Sequence, residues 1–411
     1  MFCYDNINIS SSIFVEQRGA ATPAKVQSGT FGILYGLQSA TLNDLKIQPI
    51  VQQYRSCTGL SPPDVCLSRD QLTHLQHQFS VIILRVLFKH CDGYSKYISD
   101  AALQPLPRRP LPVGVKTKQF PLRTTTIDES SIVGNLMVHD DAYSVQLEKK
   151  PEDLGLYAIP SVNDQSTNAR IRSGQVMRIN DLDTWARRDI LQLGFGLFHL
   201  CMNLVWALLH MHKGSLNQTG SLTYFFALME KARLGAEHPD YHTLFAALSQ
   251  ILEGIILNAW RDELGNLKDY AKTKPKSQDL LLHAKSILNR CACPLEDWRK
   301  GSKAKDPLVP PFPGAPNPLH DIAHQNSLLL TCDLLYLMEL TSAISEGDFG
   351  RVEDILPTLA KIFRGAGSNN YCTEILHFLA NLKYIWTPKF AYVHVKSLYL
   401  CTNPHQQYYA Q

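Results

Sequence analysis

The chain has 411 residues, is 45% hydrophobic and 19% charged, and carries a formal net charge of +3. That length exceeds one ordinary core and calls for two lobes or a core with a large insertion. The composition is that of a globular chain rather than a disordered one, and the near-balance of charge excludes a strongly basic nucleic-acid-binding tail.

In chain order, the first forty residues are strand-like. Phe2, Cys3 and Tyr4 form a short apolar run that ends on Asp5, and residues 29–37 form a second β-rich run, with Gly19, Pro23 and Gly29 punctuating the turns between them. Leu72, Leu75, Phe79, Ile82, Ile83, Val86 and Leu87 recur at helical spacing, so residues 67–90 are expected as an amphipathic helix. Residues 104–126 carry Pro105, Pro107, Pro110, Pro112 and Pro121 with Arg108, Arg109, Lys116 and Lys118, which predicts an extended, solvated basic linker. An apolar run at 156–162 then ends on a polar turn with one carboxylate, Asp164, and a helix is expected from Ser166 or Thr167.

Residues 190–211 contain no Asp, Glu, Lys or Arg over a membrane-spanning length. Gln192, Gly194, Gly196, His199, Asn203 and His210 within them favour a buried strand at 190–198 followed by a buried helix at 200–212, so no membrane partner is expected. Beyond residue 200 the pattern is helical, at 238–263, 279–288, 327–344, 352–363 and 370–385, with a second Pro-rich break at 306–318. Strands with helical crossovers followed by many helices predict an α/β core carrying an all-α insertion.

The ten cysteines are scattered without a C-x-x-C, and Cys291 and Cys293 lack a second pair, so reduced thiols rather than a zinc site are expected. With the first residues running straight into a strand-like segment, the expected location is nuclear or cytoplasmic rather than secreted.

Three acidic residues form the leading chemical candidate. Asp5 and Asp164 end strand-like runs, and Glu374 lies on a late helix. Carboxylates so placed can hold two divalent ions, Mg²⁺ or Mn²⁺, that clamp the attacking and leaving oxygens of a phosphodiester. His199, at the junction of strand and helix in GFGLFHLCMNLVW, is a candidate to orient substrate, or else a buried histidine bonded to backbone; Asn203 shares its face one turn along. His238-Pro-Asp-Tyr-His242 has metal-ligand spacing but reads better as a helix start with Asp240 favoured by the dipole, and His210 and His212 diverge on a helix. The Gly-rich turn at 363–370 lacks the P-loop pattern, and there is no G-x-S-x-G or H-E-x-x-H. No small-molecule cofactor is implied.

Several stretches taken together carry a resemblance: YDNINISSSIFVEQRGA, PSVNDQSTNARIRSGQ, QLGFGLFHLCMNLVWALLHMHKGS, EHPDYHTLF, GDFGRVEDILP and FRGAGSNNYCTEILHFL. They resemble a fungal family of uncharacterised proteins, abundant in mushroom-type genomes and described as a domain of unknown function, from Tyr4 to about Ala391. The tail beyond Ala391 does not resemble that family's usual ending. In element order the chain is also similar to RNase H-like DDE transposases with a large helical insertion before the last acidic residue. That resemblance implies an RNase H-like α/β core over 1–199, an all-α insertion over 200–365 and C-terminal helices completing the core over 366–411. It also implies DNA as partner, Mg²⁺ as cofactor, and Asp5, Asp164 and Glu374 as the catalytic carboxylates. Gly196-Leu-Phe-His199 resembles the Cys-x-x-His of the hAT-type group, with Gly196 standing where that motif has cysteine. The rival expectation is a non-catalytic protein that uses its helical lobe as an interaction surface.

Overall fold

The computed structural model describes residues 1–10, 26–37, 40–112, 116–235, 238–292, 322–400 and 409–410. Its centre is a five-stranded sheet in the order β3-β2-β1-β4-β5. The strands are β1 (Phe2–Ser10), β2 (Val26–Tyr35), β3 (Gln119–Pro121), β4 (Ile159–Asn163) and β5 (Leu191–Phe195). β1 pairs with β2, and β2 with β3, antiparallel; β4 runs parallel to both β1 and β5. Asp5 therefore does not end its strand, as the apolar run suggests. It stands mid-strand opposite Phe31, because the ladder to β2 carries the backbone on through Asn6, Ile7, Asn8 and Ile9 to Ser10.

The helices follow the periodicity with shifted ends. Before the fourth strand come α1 (Ile47–Ser56), α2 (Arg69–His90), α3 (Ile132–Asp140) and α4 (Pro151–Leu154). The crossover from β4 to β5 is α5 (Gln165–Met177). After β5 come α6 (Leu197–His212), α7 (Leu222–Leu228), α8 (Tyr241–Leu264), α9 (Leu267–Lys272) and α10 (Ser277–Cys291). The last four are α11 (Ile322–Ser345), α12 (Phe349–Gly365), α13 (Asn369–Ala380) and α14 (Pro388–Ser397). The uncharged stretch at 190–211 divides into β5 and α6, as its internal polar residues require. α8 and α11 are long and apolar enough to cross a membrane by length and composition, and both pack against α2 and α10. The Pro-rich break at 306–318 lies outside the described residues.

Alternation along β1 sorts its side chains onto two faces. Phe2 and Tyr4 join Val138, Tyr143, Ile171, Trp185 and Leu193 in a core beneath α3 and α5. Met1, Val162 and Phe195 join a second, larger core continuous with the helical lobe. α2 belongs to that lobe by packing: Trp260 donates its Nε1–H to the Ile83 carbonyl at 3.0 Å, and Phe79 meets the Tyr336 ring edge-on at 5.0 Å. A boundary at residue 199 thus does not follow the packing, which gathers α2 with helices far later in the chain.

The basic Pro-rich stretch is not a solvated linker. The backbone N–H groups of Arg108 and Arg109 donate to the Asp348 carboxylate at 2.7 and 2.8 Å. Arg108 Nε reaches Asp354 at 2.7 Å, and Arg109 pairs with Glu353 at 2.6 Å. A Cβ on Gly350 would come within 2.7 Å of Arg109 N, so glycine there lets the strap lie flat on α12. Farther along, the same stretch forms β3, and Thr125 bonds Thr30 in both directions. The arginines are consumed by acids some 240 residues away in sequence, which no local reading could supply.

Two buried histidines tie the sheet to its helices. His139 lies 2.9 Å from the Tyr4 hydroxyl, and His394 donates Nε2–H to the Gln192 carbonyl at 2.9 Å while stacking on Trp386. Burial holds His139 down at about 3, helped by the Arg188 charge, and holds His394 down at about 4. The unfolded chain binds these protons below about pH 6.5 and the fold does not. Their stabilisation is therefore complete above that pH and is lost as pH falls, at about 1.4 kcal/mol per unit per histidine. Urea midpoints followed from pH 7 to pH 5 should fall, and fall less steeply in His394→Gln; identical slopes would remove His394 from this account.

Candidate functional site

The β4–α5 junction is built by its own sequence. Asp164 is the N-cap of α5, accepting from the Thr167 N–H at 2.6 Å and the Ser166 hydroxyl at 2.8 Å. The cap starts the helix at Gln165, earlier than the expected Ser166 or Thr167. In the parallel ladder Phe2 stands beside Ser161. Asp5 and Asp164 each lie three residues beyond a member of that pair. Asp5 is exposed and accepts from the Asn6 N–H at 2.8 Å. Both charges reach the half-buried Cys3 thiol, which burial foremost pushes up to about 12.

A third carboxylate lies here that sequence reasoning missed. Glu129 precedes α3 and is 2% exposed. Its oxygens accept from the Thr167 hydroxyl at 3.4 and 3.3 Å, so one threonine serves Glu129 with its side chain and Asp164 with its backbone. Burial first, then the charges of Asp164 and Asp5, push Glu129 up to about 7. Among the described residues no cation forms an ion pair with it. In sequence, DESS before an apolar helical run reads as a helix start, and Ser131 is that cap; nothing marks Glu129 as buried.

Glu374 also reaches this end of the sheet, from 206 residues beyond Asn168. It is 2% exposed on the second turn of α13. One oxygen accepts from Asn168 Nδ2 at 2.8 Å and Arg172 Nη1 at 3.1 Å, and the other pairs with Arg172 Nη2. Asn168 Nδ2 also donates to the Gly194 carbonyl at 2.8 Å, and Asn163 donates to Asn168 at 3.1 Å. Glu374 is thus brought to the junction but stands neutralised by Arg172.

His199 sits in the first turn of α6, half-buried. Asn203 Nδ2 donates to the His199 carbonyl and to the Tyr371 hydroxyl, each at 2.9 Å. Tyr371 stacks on Phe363, and its phenol is pushed up by burial and by the charges of Asp164 and Glu374. The other histidine pairs stay structural. Asp240 caps α8 through Thr243 at 2.8 Å, His238 packs on Trp206, and His212 bonds Asp333 at 2.7 Å. Among the described residues, no three His, Cys, Asp or Glu side chains come close enough to hold a metal ion as they stand.

One family model, described as a family of unknown function (DUF6589), matches residues 57–405. The chain belongs to DUF6589. The match begins well after Tyr4 and continues past Ala391, so the tail that the resemblance set apart lies largely within the family. It takes in Glu129, Asp164, Tyr371 and Glu374 and leaves out β1 with Asp5. No curated protein and no solved structure matches the chain.

The two buried acids respond oppositely to loss of a partner or of charge. Arg172→Met strands the Glu374 carboxylate and should cost about 3 kcal/mol, most of it recovered in the Arg172→Met/Glu374→Gln double variant, as read by urea unfolding. Glu129 has a folded value raised above its unfolded one, so its favourable contribution is present below about pH 4.5 and lost as pH rises through about 7. Glu129→Gln should therefore melt higher than the parent at pH 8, by up to about 3 kcal/mol, and little differently at pH 5. A uniform shift at both pH values would show that charge is not the cause.

Proposed function

We propose that the chain is an RNase H-like protein of transposase ancestry, built for Mg²⁺- or Mn²⁺-dependent cleavage and transfer of DNA strands. The supporting observation is positional. In a sheet ordered β3-β2-β1-β4-β5, Asp5 and Asp164 each lie three residues beyond the Phe2–Ser161 pair of the central strand and its parallel neighbour, and Glu374 on α13, beyond the helical lobe, bonds Asn168. Crevices at the carboxyl ends of parallel strands are usual ligand sites in α/β sheets.

The donor set fits a divalent ion in charge at Asp5 and Asp164. Glu129 is raised first by burial and then by the charges of Asp164 and Asp5, and a cation would offset that second part. Asp5 and Asp164 would hold the metal, with Glu374 joining once Arg172 gives way. Bound ions would stabilise the attacking and leaving oxygens of a phosphodiester in an in-line displacement. The protein's own part is positional: Asp164 is fixed by Thr167 and Ser166, and Asn203 of α6, bonded to the His199 carbonyl, reaches Tyr371 on the helix that carries Glu374. Action on DNA would require nuclear access.

A second reading has its own support. Glu374 is already satisfied by Arg172 and Asn168, as in a decayed or domesticated protein whose helical lobe serves interaction. Thermal melting separates the two. Mn²⁺ should raise the melting temperature of the parent but not of Asp164→Ala, and equal shifts in both would favour the non-catalytic reading.

A further inference from the structure

Resting on the reading of the site as one that handles nucleic acid, we propose that Tyr371 is a substrate-contacting residue whose hydroxyl donates a hydrogen bond to a phosphate oxygen of a bound DNA strand. Tyr371 and Glu374 lie three residues apart on α13 and so share a face. Glu374 is bonded to Asn168, one helical turn from the Asp164 cap. On its other side Tyr371 meets Asn203 in the second turn of α6, a helix that follows β5 directly. Gly196 at the head of α6 donates its N–H to the Asn163 carbonyl, the residue before Asp164. The phenol therefore stands where β4, β5, α6 and α13 meet.

The hydrogen-bond directions give the phenol its role. Asn203 Nδ2 is a donor, so the Tyr371 oxygen accepts at 2.9 Å. Its own hydrogen has no acceptor among the described residues. A neutral donor beside carboxylates suits a phosphate oxygen, which a carboxylate would repel. The ring is fixed by its stack on Phe363, and the Asn203 amide is fixed in turn by the His199 carbonyl. A phenol so held is pre-oriented and loses little freedom on binding. This also gives the half-buried His199 a task through its backbone.

Binding of fluorescein-labelled duplex DNA, followed by anisotropy in Mn²⁺ and in EDTA, tests the assignment. Tyr371→Phe keeps the ring stack and removes the hydroxyl. It should melt with the parent, keep the Mn²⁺-induced rise in melting temperature, and bind DNA about tenfold more weakly in Mn²⁺. Asn203→Ala, which frees the phenol, should weaken binding in the same direction. Unchanged affinity in Tyr371→Phe, with metal-dependent binding intact in the parent, would overturn the role of Tyr371 and leave the site reading standing. Absence of metal-dependent binding in the parent would overturn both. Displacement of the DNA by an equal concentration of inorganic phosphate would overturn the strand as the ligand.

Discussion

The side chain of Asn168 is the point on which the architecture closes. Its amide nitrogen donates to the Gly194 carbonyl of β5 and to Glu374 of α13, and its oxygen accepts from Asn163 of β4. It is fully buried, so each of these bonds replaces water that cannot enter. Through it two parallel strands, their crossover helix and a helix from the far end of the chain are held in one frame. The Arg172–Glu374 pair beside it matters for the same reason: Glu374 is buried, and loss of Arg172 would strand its carboxylate.

A second lock lies within the helical lobe and grips the Pro-rich strap. Arg351 is buried and makes a two-pronged contact with Glu339, at 2.7 and 2.8 Å, and further contacts with Glu346 and Ser342. Asp348, three residues earlier, caps α12 and receives the strap from Arg108 and Arg109. One short turn, GDFGRVED, thus supplies a helix cap, a strand-like bridge and a buried ion network. The strap that it grips precedes β3 in the chain.

What sequence could reveal followed physical range. Period-2 and period-3.6 patterns are local, and β4, β5, α2, α8 and α12 lie close to where they place them. The N-cap at Asp164 was visible as a carboxylate before a helix, although the pattern set the helix start too late. Three things were not legible. The continuation of β1 past Asp5 depends on pairing with β2. The fate of Arg108 and Arg109 depends on acids in α12. The raised proton affinity of Glu129 depends on its burial and on charges from two other segments. Each is a long-range contact, and polar residues announce neither their burial nor their partners.

The aromatic cluster under β1 acts as a vernier for the carboxylates above it. Phe2 stacks on Tyr4 at 5.0 Å and meets Tyr143 edge-on, while the Tyr4 hydroxyl is committed to Asn135 at 2.7 Å. A slip of β1 by a single residue along β4 would turn these rings out of their core and send Asp5 to the opposite face. Among the described residues one parallel pair, Phe2 with Ser161, registers β1 on β4, so that ladder alone is a weak ruler. The face of β1 that carries Asp5 is therefore held by aromatic packing on the other side of the sheet, and drift in those rings would be felt first at that exposed carboxylate.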